Sequence, residues 1–318
     1  MDSAILIVRT RGISESGDSW HKLRNEFETS MKIRNNGLWL YGKIHQNQIK
    51  KGHFSQIKSS EHVWLVSLHG FMHSGSTLRP ALTHLDPAIR VLSLDAPGHG
   101  ESEACHNPER FRPEKQIEDL VHWLDLLKID EVFVHGYSMG GRLCWQLLRW
   151  LRGQDDEQKR RFKGLILESA HPGLSSNHEK EERLELDNKR AKEIETNFNE
   201  FHLRWNQQEM FSTVQSDFLE NHEENLGVPF KHDPVSYASC LRGFGTGTVE
   251  AVTAKDMQDT EIPLLLLAGE RDIPYVKLFN QTSELSDCAT FQCIPNAGHR
   301  CWQDNPKVWS EQINRFIL

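Results

Sequence analysis

Short apolar runs alternate with helical segments along most of the chain. The runs fall near residues 63–68, 89–94, 131–135, 164–168, 263–268 and 290–295. Amphipathic segments separate them, such as residues 113–127 before the third run, and residues 306–316 follow the last. Because parallel strands need crossover connections, usually helices, this alternation predicts an α/β fold with a mostly parallel sheet flanked by helices.

A hairpin signal comes before the first of these runs. Residues 31–34 and 38–41 flank Asn35, Asn36 and Gly37, and an Asn-Gly pair between strand-like runs is typical of a tight β-turn. We therefore expect the sheet to begin here. Residues 1–28 form a polar extension for which the sequence indicates no role.

The alternation stops after the fourth run. Residues 179–201 are strongly charged and helical in pattern, and no strand-like run occurs near them. We expect residues 171–261 to form a helical cap inserted into an α/β core of residues 29–170 and 262–318. This cap would cover the carboxyl edge of the sheet. A solvated surface excursion is the alternative.

Composition narrows the classes of partner and location. The 318 residues have a net charge of −8, so we expect neither nucleic acid nor an anionic membrane as a partner. No apolar run approaches the length of a membrane span, and the first residues lack a signal-peptide pattern. The six cysteines form no Cys-X-X-Cys pair, which fits reduced thiols in a cytoplasmic protein. No metal site is indicated, and the oligomeric state stays open.

Ser138 is the candidate nucleophile. The apolar run at 131–135 leads directly into Gly136-Tyr137-Ser138-Met139-Gly140, and a helical stretch follows. A strand, a Gly-X-Ser-X-Gly turn and a helix are typical of a nucleophile elbow, in which a sharp bend exposes the serine hydroxyl at the sheet edge. The alternative is that Ser138 only caps the helix.

Two later strand ends supply an acid and a base. The run at 263–268 is followed by Asp272, and the run at 290–295 is followed by His299. The chain order Ser, Asp, His is that of α/β-hydrolases. His299 would take the proton of Ser138, and Asp272 would hold the imidazole tautomer. Separately, each residue could be a turn former or a surface histidine, but the three in this order favour a triad.

An oxyanion hole is expected beside the triad. In this fold one donor is the N–H of the residue after the nucleophile, here Met139. The second comes from the loop after an earlier strand, and the run at 63–68 ends in His69-Gly70-Phe71. We therefore expect the N–H groups of Phe71 and Met139 to form the hole.

Further segments are similar to those of one enzyme family. They are Gly-Tyr-Ser-Met-Gly-Gly-Arg, Glu-Ser-Ala-His-Pro-Gly-Leu at 168–174, Glu182-Arg183 with Asp187, Trp205 with Gln207 and Gln208, Leu-Arg-Gly-Phe-Gly-Thr-Gly at 241–247, Gly-Glu-Arg-Asp and Ala-Gly-His. From Trp64 onward the chain resembles 2-succinyl-6-hydroxy-2,4-cyclohexadiene-1-carboxylate synthase, an α/β-hydrolase-fold enzyme of menaquinone and phylloquinone biosynthesis. Many enzymes share the hydrolase motifs, whereas the His-Pro-Gly-Leu segment and the two arginines are more specific.

The resemblance implies a lyase that needs no cofactor. Such an enzyme eliminates pyruvate from 2-succinyl-5-enolpyruvyl-6-hydroxy-3-cyclohexene-1-carboxylate. Ser138, activated by His299 and Asp272, would act as a base on a ring proton. The N–H groups of Phe71 and Met139 would stabilise the charge that develops on the succinyl ketone oxygen.

A polycarboxylate substrate requires cationic anchors. Arg142 lies one helical turn after Ser138, so it shares a face with the nucleophile, although an internal salt bridge is the alternative. The resemblance implies Arg183 as a second anchor, but it could instead pair with Asp187 at i+4. The resemblance also assigns Tyr137 and Trp205 to the pocket lining. Trp205 could equally be an aromatic residue of the cap core.

The chain departs from the family pattern at three places. Only Lys231 could replace a further basic residue of the cap, and it is out of register. Pro274 stands where the family often has a lysine, and Trp302 is larger than the residue expected there. These departures bear on substrate identity or affinity more than on the triad.

Two other function classes stay open. A serine esterase or C–C bond hydrolase of the same fold would use Ser138 as a true nucleophile and form an acyl-enzyme. A ligand-binding receptor would keep the triad for recognition only. The fold alone does not separate these classes.

Overall fold

A central β-sheet runs through the computed structural model, which describes residues 5–12, 26–47, 62–211 and 233–318. Its strands are β1 Ile5–Gly12, β2 Glu26–Asn35, β3 Leu38–Asn47, β4 Val63–Leu68, β5 Ile89–Leu94, β6 Val132–Tyr137, β7 Phe162–Glu168, β8 Leu264–Gly269 and β9 Ala289–Ile294. Over these residues the strand order is β1-β2-β3-β5-β4-β6-β7-β8-β9. β1 to β3 are antiparallel and β3 pairs antiparallel with β5, whereas all the other pairs are parallel. The predicted mostly parallel sheet is confirmed.

Helices connect the parallel strands. Over the described ranges they are α1 Arg79–Leu82, α2 Pro113–Leu126, α3 Met139–Arg152, α4 Asp156–Arg161, α5 Asn177–Thr196, α6 Phe198–Asn206, α7 Pro234–Phe244, α8 Ala254–Thr260, α9 Ile273–Ser283, α10 Cys301–Asp304 and α11 Pro306–Ile317. Three short 3₁₀ turns accompany them in the same ranges, at Gly75–Leu78, Pro108–Phe111 and Glu209–Phe211. None of the helices in these ranges combines the length and apolar character that a membrane crossing needs.

Both faces of the parallel strands are covered. Successive side chains of β4 point to opposite faces, so Leu65 and Val66 belong to separate buried clusters. The cluster around Val66 contains Trp123 of α2 and Trp145 of α3, and the one around Leu65 contains Trp309 of α11. Burial on two faces explains why these strands read as continuous apolar runs.

The antiparallel end of the sheet begins earlier than the sequence predicts. The expected hairpin is present, with Asn35 paired to Leu38 and the left-handed residues Asn36 and Gly37 at φ 47° and 83°. However, Ile5–Gly12 pairs with β2 as the edge strand β1, and β2 itself starts at Glu26. Residues 1–28 therefore are not merely a polar extension, because part of them extends the sheet.

Helices α5 to α8 follow β7 before the chain returns to the sheet at β8. α5 buries only Asp187, Ala191 and Ile194, a single stripe at i, i+4 and i+7. α7 packs closely on the 3₁₀ turn at Pro108–Phe111, where a Cβ added to Gly243 would lie 1.9 Å from the Pro108 carbonyl oxygen. The assignment of residues 171–261 as a cap stays a prediction, and residues 212–232 lie outside the described ranges.

Candidate active site

Ser138 lies at the junction between β6 and α3. The strand ends at Tyr137, the helix begins at Met139, and Ser138 between them has φ 52° and ψ −105°. This left-handed φ is costly for a residue with a side chain. The bend is also too tight for side chains on its flanks, since a Cβ on Gly136 would lie 2.3 Å from the Gly140 carbonyl oxygen. The strand, turn and helix thus occur in the predicted order.

The structure brings Ser138, His299 and Asp272 together. His299 Nε2 lies 3.2 Å from Ser138 Oγ, and His299 Nδ1 lies 2.8 Å from Asp272 Oδ2. Both His299 and Asp272 are almost fully buried. A carboxylate accepts from Nδ1–H, which leaves Nε2 free to receive the serine proton. The arrangement can therefore generate a basic or nucleophilic serine oxygen.

His69 fixes the loop that carries Phe71. Its Nδ1 lies 2.7 Å from the Gly70 carbonyl oxygen, and its Nε2 accepts from the Ala96 N–H at 3.0 Å. Burial lowers the pKa of His69 to about 4, so the imidazole is neutral near pH 7. The His69 carbonyl accepts from the Gly140 N–H at 3.0 Å, which ties this loop to the first turn of α3.

The two expected oxyanion donors lie on these two segments. The Phe71 and Met139 side chains are buried, and Met139 is the first residue of α3, where the N–H has no partner within the helix. Within the described part of the chain, neither backbone N–H donates a hydrogen bond. Both are thus available to a substrate oxygen, as an oxyanion hole requires.

Arg142 is a half-buried cation one turn beyond Ser138. Its Nη1 donates to Thr246 Oγ1 at 2.6 Å, and its Cζ lies 5.1 Å from the centre of the Phe244 ring. Over the described ranges it forms no ion pair, and its buried Nε has no hydrogen-bond partner. Burial and then the charge of Arg183 lower its pKa. Among the described residues, the structure therefore contains no internal salt bridge of Arg142.

Arg183 does pair with Asp187. Its Nε donates to both carboxylate oxygens at 2.9 and 3.0 Å, and Arg190 Nη1 lies 3.6 Å from the same carboxylate. Asp187 is 1% exposed, so the pair is not a simple surface contact. After burial, the charges of Arg142 and Arg183 also lower the pKa of His171, which indicates that these cations gather around one site. One buried carboxylate balances only part of this positive charge.

Tyr137 and Trp205 both pack near the predicted site. Tyr137 is buried, with its ring centroid 5.5 Å from His299 and 6.0 Å from His73. Trp205 on α6 meets Phe71 edge-on at 5.6 Å and stacks on Phe201 at 5.7 Å. Trp205 thus packs within helices α5 to α8 between β7 and β8, here called the inserted helices, and also against the loop that carries Phe71. Both of its expected roles are compatible with this position.

The contacts that His299 and Arg300 make with residues 206–211 are not predictable from the sequence. Arg300 directly follows His299, is 3% exposed, and donates from Nη2 to Asn206 Oδ1 at 2.9 Å. Its Cζ lies 4.5 Å from the centre of the Phe211 ring, and that ring meets His299 edge-on at 5.4 Å. The His299 N–H donates to the Met210 carbonyl oxygen at 3.2 Å. The only sequence signal for Arg300 is a cation beside the candidate base.

The departures from the family pattern have local structural consequences. Pro274 occupies the first turn of α9, where a missing N–H removes no helical hydrogen bond. Trp302 is buried 6.2 Å from Tyr137, and its N–H donates to Glu168 Oε1 at 3.3 Å. Lys231 lies outside the described residues. Tyr275, which follows Pro274, also contacts His299, and no motif in the sequence marks it.

Comparison with known proteins agrees with this geometry. A family model described as the alpha/beta hydrolase family matches residues 65–312. A relative from Bacillus subtilis strain 168 is 28% identical over 257 residues, covering 80% of this chain and 89% of its own length. A relative from Pectobacterium atrosepticum is 27% identical over 260 residues, covering 80% and 93%. Both carry the name 2-succinyl-6-hydroxy-2,4-cyclohexadiene-1-carboxylate synthase, the first of them provisionally, which confirms the resemblance found in the sequence.

Solved structures share the fold. The structure of MenH from S. aureus aligns with a TM-score of 0.73 at 24% identity, covering 86% of this chain and 97% of its own. A thermophilic esterase from Thermogutta terrifontis aligns at 0.68 with 19% identity, covering 90% and 97%. The architecture is therefore common to enzymes of different chemistry. Together with the family match over residues 65–312, it shows that the chain belongs to the alpha/beta hydrolase family.

Proposed function

We propose that this protein is a carbon–oxygen lyase that eliminates pyruvate from 2-succinyl-5-enolpyruvyl-6-hydroxy-3-cyclohexene-1-carboxylate. The product is 2-succinyl-6-hydroxy-2,4-cyclohexadiene-1-carboxylate. The names of the relatives support this substrate. The reaction needs a base, a stabiliser for an enolate oxygen and cationic anchors, and residues of all three kinds lie around Ser138. We also propose that the protein is located in the cytoplasm.

The elimination begins with proton transfer. His299 Nε2 takes the proton of Ser138 Oγ, and the serine oxygen removes a proton from the ring carbon. The electron pair of that C–H bond moves toward the succinyl ketone, whose oxygen gains negative charge facing the Phe71 and Met139 N–H groups. Asp272 stabilises the imidazolium that forms.

Collapse of the enolate completes the reaction. The electron pair returns to form a double bond between ring carbons 2 and 3. The existing double bond shifts from carbons 3 and 4 to carbons 4 and 5, and the C–O bond between carbon 5 and the enolpyruvyl group breaks. The departing enolate takes up a proton and becomes pyruvate, and the proton on His299 can supply it. No water is consumed, so the enzyme must favour elimination over attack by Ser138 at a carbonyl carbon.

The unpaired charge of Arg142 is the observation that favours this function over ester hydrolysis. A pocket for a neutral ester has no use for a half-buried guanidinium that forms no ion pair within the described ranges. A substrate carboxylate would pair with it, and the planar guanidinium suits bidentate binding. The positive charge thus points to an anionic substrate.

Pyruvate release is the direct test. The enolpyruvyl substrate is supplied to the purified protein, and pyruvate is followed with a coupled dehydrogenase. We expect catalytic turnover in the wild type and loss of turnover in Ser138→Ala. Tight binding of the substrate without pyruvate release would instead favour a receptor that keeps the triad only for recognition.

A serine esterase is the second candidate, because the same triad supports it and the esterase from Thermogutta terrifontis has the same fold. An esterase would form an acyl-enzyme on Ser138, whereas the elimination would not. Intact-mass spectrometry during turnover separates the two. A substrate-derived adduct on Ser138 would overturn the elimination mechanism, and an unmodified protein during rapid pyruvate release would support it.

A further inference from the structure

Tyr275 is held beside the triad by the same turn that places Asp272. It lies in the first turn of α9, and its N–H donates to the Asp272 carbonyl oxygen at 2.9 Å. Its half-buried ring lies 5.2 Å from the His299 ring, tilted by 54°, and 6.1 Å from Phe279. The backbone and the ring are therefore fixed by contacts that do not involve the hydroxyl.

The described part of the chain gives the hydroxyl of Tyr275 no structural role. Within the described part of the chain it makes no hydrogen bond, whereas the hydroxyl of Tyr41, which is also partly buried, bonds to Ser30 Oγ at 2.7 Å. Burial raises the pKa of Tyr275 to about 12, so the phenol is protonated near pH 7. Among the described residues, this donor therefore has no acceptor.

The charges around this hydroxyl define the acceptor it suits. After burial, the carboxylate of Asp272 also raises the pKa of Tyr275, whereas the guanidinium groups of Arg142 and Arg183 lower it. A neutral donor within range of two arginines adds a hydrogen bond to an anion without adding charge. An anionic oxygen held by these arginines would lie within reach of the triad.

We propose that Tyr275 is a substrate-binding residue whose hydroxyl donates a hydrogen bond to a substrate carboxylate. The proposal rests on the proposed function for the identity of that substrate, but not for its charge. The phenol and the arginines would then hold one carboxylate from several directions. Because Tyr275 also touches His299, this contact would orient the carboxylate-bearing arm relative to the catalytic base.

Tyr275→Phe tests the hydroxyl alone, since the phenyl ring keeps its packing against His299 and Phe279. We expect KM for the enolpyruvyl substrate to rise about tenfold while kcat changes little, because the lost hydrogen bond holds the substrate rather than the transition state. The control is Tyr41→Phe, whose lost bond to Ser30 lies outside the site. If the wild type hydrolyses p-nitrophenyl acetate, a neutral ester, Tyr275→Phe should hydrolyse it at the same rate. An unchanged KM, or equal losses on both substrates, would overturn the proposal.

A binding measurement separates failure of this proposal from failure of the proposed function. The probe is 4-oxo-4-phenylbutanoate, which has a succinyl ketone and a carboxylate but no leaving group, and its methyl ester is the neutral control. Calorimetry should show weaker binding of the acid to Tyr275→Phe than to the wild type, even if no pyruvate is ever released. Equal affinities, or no binding of the acid to the wild type, would overturn the role of Tyr275.

Discussion

The proposed triad and the proposed anchor Arg183 are positioned in different ways. Ser138, Asp272 and His299 each follow a strand of the parallel sheet within a few residues, so the backbone register of β6, β8 and β9 sets their separation. Arg183 lies on α5, a 20-residue helix that buries three side chains. Its placement depends on side-chain contacts between helices rather than on a hydrogen-bonded sheet.

Because of this difference, the residues proposed for the chemistry and the residue proposed for substrate binding depend on different parts of the fold. The sheet edge is rigid because its strands are buried on both faces, and a shift there would disturb many contacts at once. The inserted helices can change their charged surface at little cost to the core. The same fold can therefore serve different chemistries, which agrees with the esterase that shares it.

The largest effect is expected at the sheet edge. Ser138→Ala, His299→Ala and Asp272→Asn should each lower kcat for pyruvate release strongly, with Ser138→Ala losing at least about a thousandfold. Combining the substitutions should add little, because the three residues act as a unit. Steady-state assays on single and multiple variants measure this. Near-wild-type release by Ser138→Ala would remove serine as the base.

The second prediction concerns His69, which supports the loop that carries Phe71. Folding lowers its pKa from 6.5 to about 4, so the unfolded chain takes up the proton first as the pH falls. The stabilisation is complete above pH 6.5 and is lost between pH 6.5 and 4. It amounts to roughly 3 kcal/mol. Asp95 has the opposite effect on the pH dependence of stability, because burial raises its pKa to about 6.

A variant isolates the His69 contribution from that of Asp95. His69→Asn retains a donor toward the Gly70 carbonyl but does not titrate, and it leaves the Ala96 N–H without its acceptor. It should be less stable than the wild type at pH 7.5, with a gap that narrows as the pH falls toward 4.5. Urea unfolding across this range gives both free energies. A gap independent of pH would mean that His69 does not titrate as described.

The sheet edge is also the part of the molecule that the sequence predicts well. Apolar runs mark where strands end, so the chain order alone puts Ser138, Asp272 and His299 at one edge of the sheet. The hairpin at Asn36 and Gly37 is predictable for the same local reason. β1 escapes prediction because a short run at an edge of the sheet gives a weak pattern.

The other contacts cannot be read from the sequence. Arg300 and Asn206 are 94 residues apart, and Arg142 and Thr246 are 104 apart, so only tertiary packing shows that they meet. Tyr275 escapes notice because a tyrosine in a first helical turn has no distinctive spacing. The choice between an ion pair and a ligand role for Arg183 likewise depends on burial of Asp187, which periodicity does not reveal.

The third prediction tests whether the arginines recognise charge. Arg142→Lys and Arg183→Lys should each lower kcat/KM for the anionic substrate roughly tenfold to a hundredfold, because a lysine cannot reproduce bidentate binding. Turnover of p-nitrophenyl acetate should be nearly unaffected. Arg204→Lys is the matched control, since Arg204 pairs with Glu193 at an exposed position on α6. Equal losses on both substrates would make the arginines structural.

The smallest effect is expected where the two regions meet. Arg300 donates a hydrogen bond to Asn206 of α6, and the N–H of the neighbouring His299 donates to the Met210 carbonyl oxygen. A movement of this segment should therefore shift the position of His299. Asn206→Ala and Arg300→Met should each lower kcat/KM a few-fold, and the double variant should lose no more than Arg300→Met, because both remove one shared bond. The coupling energy should be about 1 kcal/mol. Strictly additive losses in this cycle would show that the inserted helices and the triad act independently.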